Sequence, residues 1–186
     1  MRPLSERWPK PVLPIDGRPV IASLLRELAA AGLTEVTVVT GHLAEQVEEL
    51  LGDGSAFGLE LRYVRQPSPD GSADAVRRAL EAGVRPPLIV SAADTLYTAG
   101  DVGRFADAFL AAGKPSALAY VPDGSPAPLW GLTEPVTLLL HELSGPPYEL
   151  REAVQRAGEV ARVEIGHTRA VTDSLDVVRE NFPYLR

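Results

Sequence analysis

Apolar residues recur at Ile21, Leu24, Leu25 and Leu28, the i, i+3, i+4, i+7 spacing of one helix face. The spacing predicts a helix from Val20 to Ala31, with Gly32 as its stop. EVTVVT, Glu35 to Thr40, is short and β-rich, and Leu43, Val47, Leu50 and Leu51 then mark a second amphipathic helix ending at Gly52. Leu59 to Tyr63 alternates as a strand, Ala73 to Ala82 has a helical pattern, and Leu88 to Ser91 is an apolar run suited to a buried strand. Asp101 reads as the N-cap of a helix with Val102, Phe105, Ala106, Phe109 and Leu110 on one face and Gly113 as its end. Ser116 to Val121 returns as a strand, followed by the turn-rich VPDGSPAP. The remaining pattern predicts a strand over Leu129 to Leu132, short helices over Pro135 to His141 and Tyr148 to Ala157, and a strand over Ala161 to Ile165. A last helix over Ser174 to Phe182 aligns Leu175, Val178 and Phe182. This alternation predicts an α/β fold, a three-layer α/β/α sandwich with a mainly parallel sheet. Such a pattern ordinarily begins on a strand, yet this chain opens on the Pro-rich MRPLSERWPKPVLP, so a first strand is missing from it.

Composition narrows the classes. At 186 residues, 45% hydrophobic and 23% charged, with no run of 18 apolar residues, the chain reads as one globular domain over residues 1–186, neither disordered nor membrane-spanning. The absence of Cys excludes disulfides, thiolate metal sites and cysteine nucleophiles, and no signal-like apolar stretch opens the chain, so a cytoplasmic protein is expected. The net charge of -7 disfavours nucleic acid and anionic membrane as partners. Residues 1–18 nevertheless carry Arg2, Arg7, Lys10 and Arg18 against Glu6 and Asp16. A cationic segment on an acidic protein points to a small anionic ligand.

Three stretches carry candidate chemistry. Prolines stiffen Met1 to Pro14 and can hold a basic side chain without a helical scaffold; on spacing alone the segment reads equally as a rigid surface loop. Asp94 follows the apolar LIVSAA, at the edge of a parallel sheet where ligands bind in open α/β folds, and could equally begin a turn. QPSPDGSADA, Gln66 to Ala75, is a turn entering a helix at Ser72, whose first N–H groups can face an anion or a base edge. Gly52, Gly54 and Gly58 follow a helix and precede a strand, the reverse of the order a dinucleotide site needs, and are read as a loop. His42, His141 and His167 lack metal-ligand spacing.

MRPLSERWPKPVLPIDGRPVI resembles the end of the signature of sugar-1-phosphate nucleotidylyltransferases, in which a GxGTR loop runs into xxPLTxxxPKPxxPIxGxPxI. The resemblance continues through LGDGSAFGLELRY and QPSPDGSADA to Asp94 in LIVSAADTLYT, covering most of Met1 to Tyr120. It implies a nucleotidyltransferase, glycosyltransferase-A-like, Rossmann-type architecture. It also implies transfer of a nucleoside monophosphate from a nucleoside triphosphate to a sugar 1-phosphate, with pyrophosphate released. Lys10 then matches the lysine that reaches the phosphates, and Asp94 would hold Mg²⁺, a hard cation that takes one or two carboxylates with phosphate oxygens. Gln66, with a donor and an acceptor, would read the base, a pyrimidine by preference, together with Gly71, Ser72, Ala73 and Asp74.

Three departures from the family stand out. The first strand and its glycine-rich loop would lie before Met1, so either polypeptide extends upstream or the chain folds altered and inactive; without that strand, two neighbouring strands are left with unpaired edges around a core gap. No EKP-like segment follows Val121. The second metal-binding aspartate aligns with Ala170, Asp173 being out of register. These departures motivate the alternative of a non-catalytic nucleotide- or sugar-phosphate-binding regulatory module.

Overall fold

The computed structural model describes residues 7–171 and 174–182; Arg2 and Asp173 lie outside them. A 3₁₀ turn, Lys10–Val12, leads into a two-residue hairpin of β1 (Pro14–Ile15) and β2 (Arg18–Pro19), then α1 (Val20–Ala30). β3 (Glu35–Thr40), α2 (Ala44–Leu51) and β4 (Glu60–Arg65) form a βαβ unit with the strands parallel in register from Glu35↔Glu60 to Thr40↔Arg65. α3 (Ser72–Glu81) connects to β5 (Leu88–Ser91), β6 (Thr95–Leu96) and α4 (Asp101–Ala112). β7 (Ser116–Tyr120), β8 (Pro126–Leu132), α5 (Glu134–Leu139), α6 (Leu150–Arg156), β9 (Val160–Glu164), β10 (Arg169–Ala170) and α7 (Ser174–Asn181) complete the order.

Two sheets carry the middle layer. One is the pair β3-β4 and the other is four-stranded, in the order β5-β8-β7-β9. Parallel pairing holds for β3·β4 and β7·β9, whereas β8 runs antiparallel to both neighbours. The sheet is therefore mixed where alternation predicted it mainly parallel. The turn between Tyr120 and Pro126 is too short for a crossover, so β7 and β8 form a hairpin, with Val121 N–H bonded to the Ser125 carbonyl.

Helices lie on both faces. On one, Ile21, Leu24 and Leu25 of α1 pack with Val38 and Val102, while Phe105 and Phe109 of α4 pack with Leu129 and Ala119. On the other, Ala73 and Val76 of α3 pack with Leu132, Val136, Leu150 and Val154. Among the described residues β3 pairs only with β4 and β5 only with β8.

Three sequence expectations shift in detail. Leu50 and Leu110 are exposed, because the buried stripes of α2 and α4 run instead through Ala44, Val47 and Leu51, and through Val102, Phe105, Ala106 and Phe109. On α7, Leu175, Val178 and Phe182 align but remain exposed. Asp101 is not the N-cap; Gly100 is, and Asp101 is fully buried in the first turn. Its carboxylate accepts a hydrogen bond from the Gly166 N–H at 3.0 Å and pairs with Arg104, tying α4 to the chain beyond β9. Removing it strands a buried donor, whereas the Arg104 side chain is 60% exposed. Asp101→Ala is expected to lower the unfolding free energy by about 2 kcal/mol and Arg104→Ala by less than about 1 kcal/mol. Urea denaturation of the two variants checks the difference.

Candidate active site

Lys10 and Asp94 lie far apart in sequence, and the segments that carry them both pack around the start of α1. The turn that carries Lys10 is closed by the Leu13 N–H on the Lys10 carbonyl at 3.1 Å, and Val20 N–H bonds the Leu13 carbonyl at 3.1 Å. Val12, after Lys10, and Ala93, before Asp94, pack against the same cluster of Ile21, Leu24 and Val102. Leu13 and Leu96 meet in a second cluster with Val20 and Val171. Both side chains of interest are half-buried, and among the described residues neither the Lys10 ammonium nor the Asp94 carboxylate makes a hydrogen bond or ion pair. A free cation and a free carboxylate, each fixed at its backbone, are what an anionic ligand and a hard metal ion require.

Residue 170 is brought to the same place. β10 pairs with β6 so that Ala170 opposes Thr95, and the Val171 N–H donates to the Asp94 carbonyl at 3.0 Å. The position aligned with a second metal aspartate thus stands beside Asp94, but carries a methyl group. Asp94 directly precedes the Thr95 that pairs with Ala170. Beside it the Tyr97 hydroxyl is held by the Pro128 carbonyl and Ser91 Oγ, each at 2.9 Å. Burial pushes the Tyr97 phenol well above its ordinary pKa, and the nearby Asp94 charge adds to this, so it is a proton donor at any working pH.

The Gln66–Asp74 segment is arranged differently from expectation. Gln66 follows β4, and its backbone N–H bonds the Thr40 carbonyl at 2.7 Å. Its Nε2 donates to the Gly71 carbonyl at 3.1 Å and to Asp74 Oδ2 at 2.9 Å. Both amide hydrogens are used, so Gln66 offers outward only an acceptor and not the expected donor–acceptor pair. With Gly41, His42, Arg65, Pro67 and Pro69 it lines a 490 Å³ cavity at the C-terminal ends of β3 and β4.

Gly71, Ser72, Ala73 and Asp74 do not open onto that cavity. Tyr148–Leu150 covers them: the Ala73 N–H donates to the Tyr148 carbonyl at 2.8 Å and the Tyr148 N–H to the Asp70 carbonyl at 2.7 Å. The Ser72 hydroxyl donates to Glu149 Oε2 at 2.7 Å and accepts the Leu150 N–H at 2.9 Å. Gly71 is required here, since its φ is +107° and a Cβ would stand 2.3 Å from the Tyr148 carbonyl oxygen. The Ala73 N–H at the start of α3, expected to face a ligand, therefore faces the chain itself.

Asp74 is the hub of this junction. Only 5% exposed, it accepts from Gln66, from Arg77 at 2.9 Å and from Arg78 at 2.8 Å, and Arg77 stacks 4.2 Å from the Tyr148 ring centre. Burial alone would raise its pKa; hydrogen bonds from Gln66, Arg78 and Arg77 outweigh burial and hold it below the ordinary carboxylate range. Its role is to position Gln66. The i+3 and i+4 arginines were visible in the sequence as its partners, but the cover by Tyr148 comes from a segment more than 70 residues away that has no local signal.

Comparison with known proteins bears on this geometry. The profile described as Nucleotidyl transferase matches residues 1–134, most of the chain. The chain belongs to the nucleotidyl transferase family. Among the similar proteins are the low-salt glycan biosynthesis nucleotidyltransferase Agl11 of Haloferax volcanii, 40% identical over 76 residues, and the N-acetylmuramate alpha-1-phosphate uridylyltransferase of Neisseria meningitidis, 40% identical over 95 residues. These matches cover 40% and 49% of this chain, and 21% and 40% of the respective relatives, so the chain spans less than half of either. A putative glucose-1-phosphate thymidylyltransferase from Bacillus anthracis shares the fold, with a TM-score of 0.85 at 17% identity, covering 97% of this chain and 88% of that one. This nucleotidyl transferase chain thus has the α/β fold of its family, and no helix among its described residues is long and apolar enough to cross a membrane.

Asp74 contributes stability through its lowered pKa. The contribution is complete above the unfolded-state pKa of about 3.9 and disappears as pH falls through the lower folded value. Asp74→Ala is expected to cost about 2–3 kcal/mol at neutral pH, with the gap to wild type closing as pH falls below about 4. Denaturant midpoints across that pH range measure it.

Proposed function

We propose that this chain carries out nucleotidyl transfer from a nucleoside triphosphate to a sugar 1-phosphate in the cytoplasm. The reading is supported by the packing of the two segments that carry Lys10 and Asp94 against the start of α1, with neither side chain taking a polar partner among the described residues. In the reaction an oxygen of the sugar phosphate attacks the α-phosphorus, the bond from that phosphorus to the bridging oxygen breaks, and pyrophosphate leaves. Little proton transfer is needed; positioning and charge stabilisation supply most of the catalysis. Lys10 places a point charge on the phosphates, and Gln66 accepts a hydrogen bond from the base at the mouth of the 490 Å³ cavity. A pyrimidine is the preferred base, in keeping with the resemblance of the Gln66 to Ala75 segment to the thymidylyl- and uridylyltransferase branch.

The donor set at Asp94 fits Mg²⁺. Its carboxylate has no protein partner among the described residues, and Mg²⁺ is commonly held by one carboxylate with substrate phosphates and water. Asp94 would hold the ion, which neutralises phosphate charge when bound. Ala170 supplies no second ligand, and this methyl beside Asp94 favours one rival reading: a nucleotide- or sugar-phosphate-binding module that regulates a partner without turnover.

Pyrophosphate release from the purified chain with each nucleoside triphosphate, Mg²⁺ and a panel of sugar 1-phosphates separates the two. Turnover is expected, falling by about 10²- to 10³-fold in Lys10→Ala, and Ala170→Asp is expected to lower the Mg²⁺ concentration needed for half-maximal rate. Thermal stabilisation by the ligands with no pyrophosphate released would favour the module.

A further inference from the structure

Asp94 stands in a three-residue turn, Ala92 to Asp94, between β5 and β6. Ala92 and Ala93 bring no polar side chain to it, so the groups that hold the turn come from outside. At its far end the Val171 N–H bonds the Asp94 carbonyl at 3.0 Å, and Thr95 pairs with Ala170. Its near end is gathered on one hydroxyl. Tyr97 Oη donates to the Pro128 carbonyl at 2.9 Å and lies 2.9 Å from Ser91 Oγ. The same Pro128 carbonyl accepts the Ala92 N–H at 3.1 Å, and Ser91 Oγ donates to the Ala92 carbonyl at 3.0 Å. The phenol thus reaches back over the turn and closes it against β5 and β8.

The Tyr97 ring is fixed as well as its hydroxyl, packing against both the cluster of Ile21, Leu24 and Val102 and the cluster of Phe105 and Leu129. Thr95, next to Asp94, is fully buried, and its hydroxyl has no partner among the described residues. A buried hydroxyl left unpaired is costly, so the turn gains by loosening toward water, and the brace at Tyr97 opposes this. We propose that Tyr97 is a positioning residue for Asp94, a role that rests on the transfer site read above: through its hydroxyl it holds the turn so that the carboxylate meets a metal-bound triphosphate in one fixed place. Mg²⁺ tolerates little departure from octahedral geometry, and a carboxylate that swings with a loose turn binds it poorly. The Tyr97 hydroxyl is spent on Ser91 and Pro128, so its effect passes through Asp94.

Tyr97→Phe keeps the ring and removes the oxygen. Ser91 Oγ retains the Ala92 carbonyl and the Pro128 carbonyl retains the Ala92 N–H, so no buried group is stranded and the variant is expected to fold. Hydrogen exchange in the ligand-free chain is expected to quicken about tenfold at residues 92–95 and to stay as in wild type across β7 and β9. Calorimetry then follows UTP binding with Mg²⁺ and with EDTA. The gain in affinity that Mg²⁺ brings is expected to fall about tenfold in Tyr97→Phe, with binding in EDTA unchanged and no added loss when Tyr97→Phe is combined with Asp94→Asn. Ser91→Ala, which cuts the same brace at β5, is expected to move both readouts in the same direction and stands in if Tyr97→Phe does not fold. Unchanged exchange at residues 92–95, an equal loss in EDTA, no loss where Asp94→Asn shows one, or a loss that persists in the Asp94→Asn background overturns the role of Tyr97 and leaves the transfer site standing. UTP binding by wild type that is absent, or that owes nothing to Mg²⁺ and Asp94, overturns both.

Discussion

Leu13, Leu96 and Val171 close around Val20 at the start of α1, and this small apolar cluster sets the backbone beside Lys10 and Asp94, the residues proposed to act on the phosphates. None of the four residues carries chemistry. Leu13 ends the turn that begins at Lys10, Leu96 lies two residues beyond Asp94, and Val171 bonds the Asp94 carbonyl one residue after Ala170. Burial of such side chains is worth roughly 1.5–3 kcal/mol each, enough to fix three remote segments without spending the polar groups beside them. Lys10 and Asp94 are consequently left half-buried and, among the described residues, without a polar partner, which is the state the proposed phosphate site needs.

The wall proposed to face the base follows the opposite logic. There almost every polar group is spent inside the protein: Asp74 takes three partners, Ser72 two, and the Ala73 N–H one. What remains for the proposed ligand is one acceptor on Gln66, whose amide hydrogens are held by the Gly71 carbonyl and Asp74. A preorganised acceptor of this kind loses little entropy on binding, and its orientation is enforced because both of its amide hydrogens have acceptors waiting.

Much of this was legible in the chain. The Ile21, Leu24, Leu25, Leu28 spacing marks the α1 face, and EVTVVT and LIVS mark β3 and β5, because local periodicity reports which face is buried. Among the described residues β3 pairs only with β4 and β5 only with β8, with a cavity between the two strands. Long-range pairing was not legible. That Tyr148 would cap Gly71 and Ala73, that Asp101 would turn inward to Gly166, and that β8 would run antiparallel between β5 and β7 depend on backbone meetings across many residues. Backbone hydrogen bonds are nearly blind to side-chain identity, so composition and spacing carry no trace of them. Leu50 and Leu110 misled for a related reason: a stripe drawn from apolar residues alone was one position too wide.

The proposed reaction requires Lys10 and Asp94 to engage one triphosphate. A double-mutant cycle on Mg²⁺-nucleoside triphosphate binding, with Lys10→Ala, Asp94→Asn and the pair, measured by calorimetry, addresses this directly. Groups that share a ligand couple, so the effects of the two substitutions are expected to depart from additivity by more than about 0.5 kcal/mol. Strictly additive losses, or no loss from either substitution, would contradict the shared site.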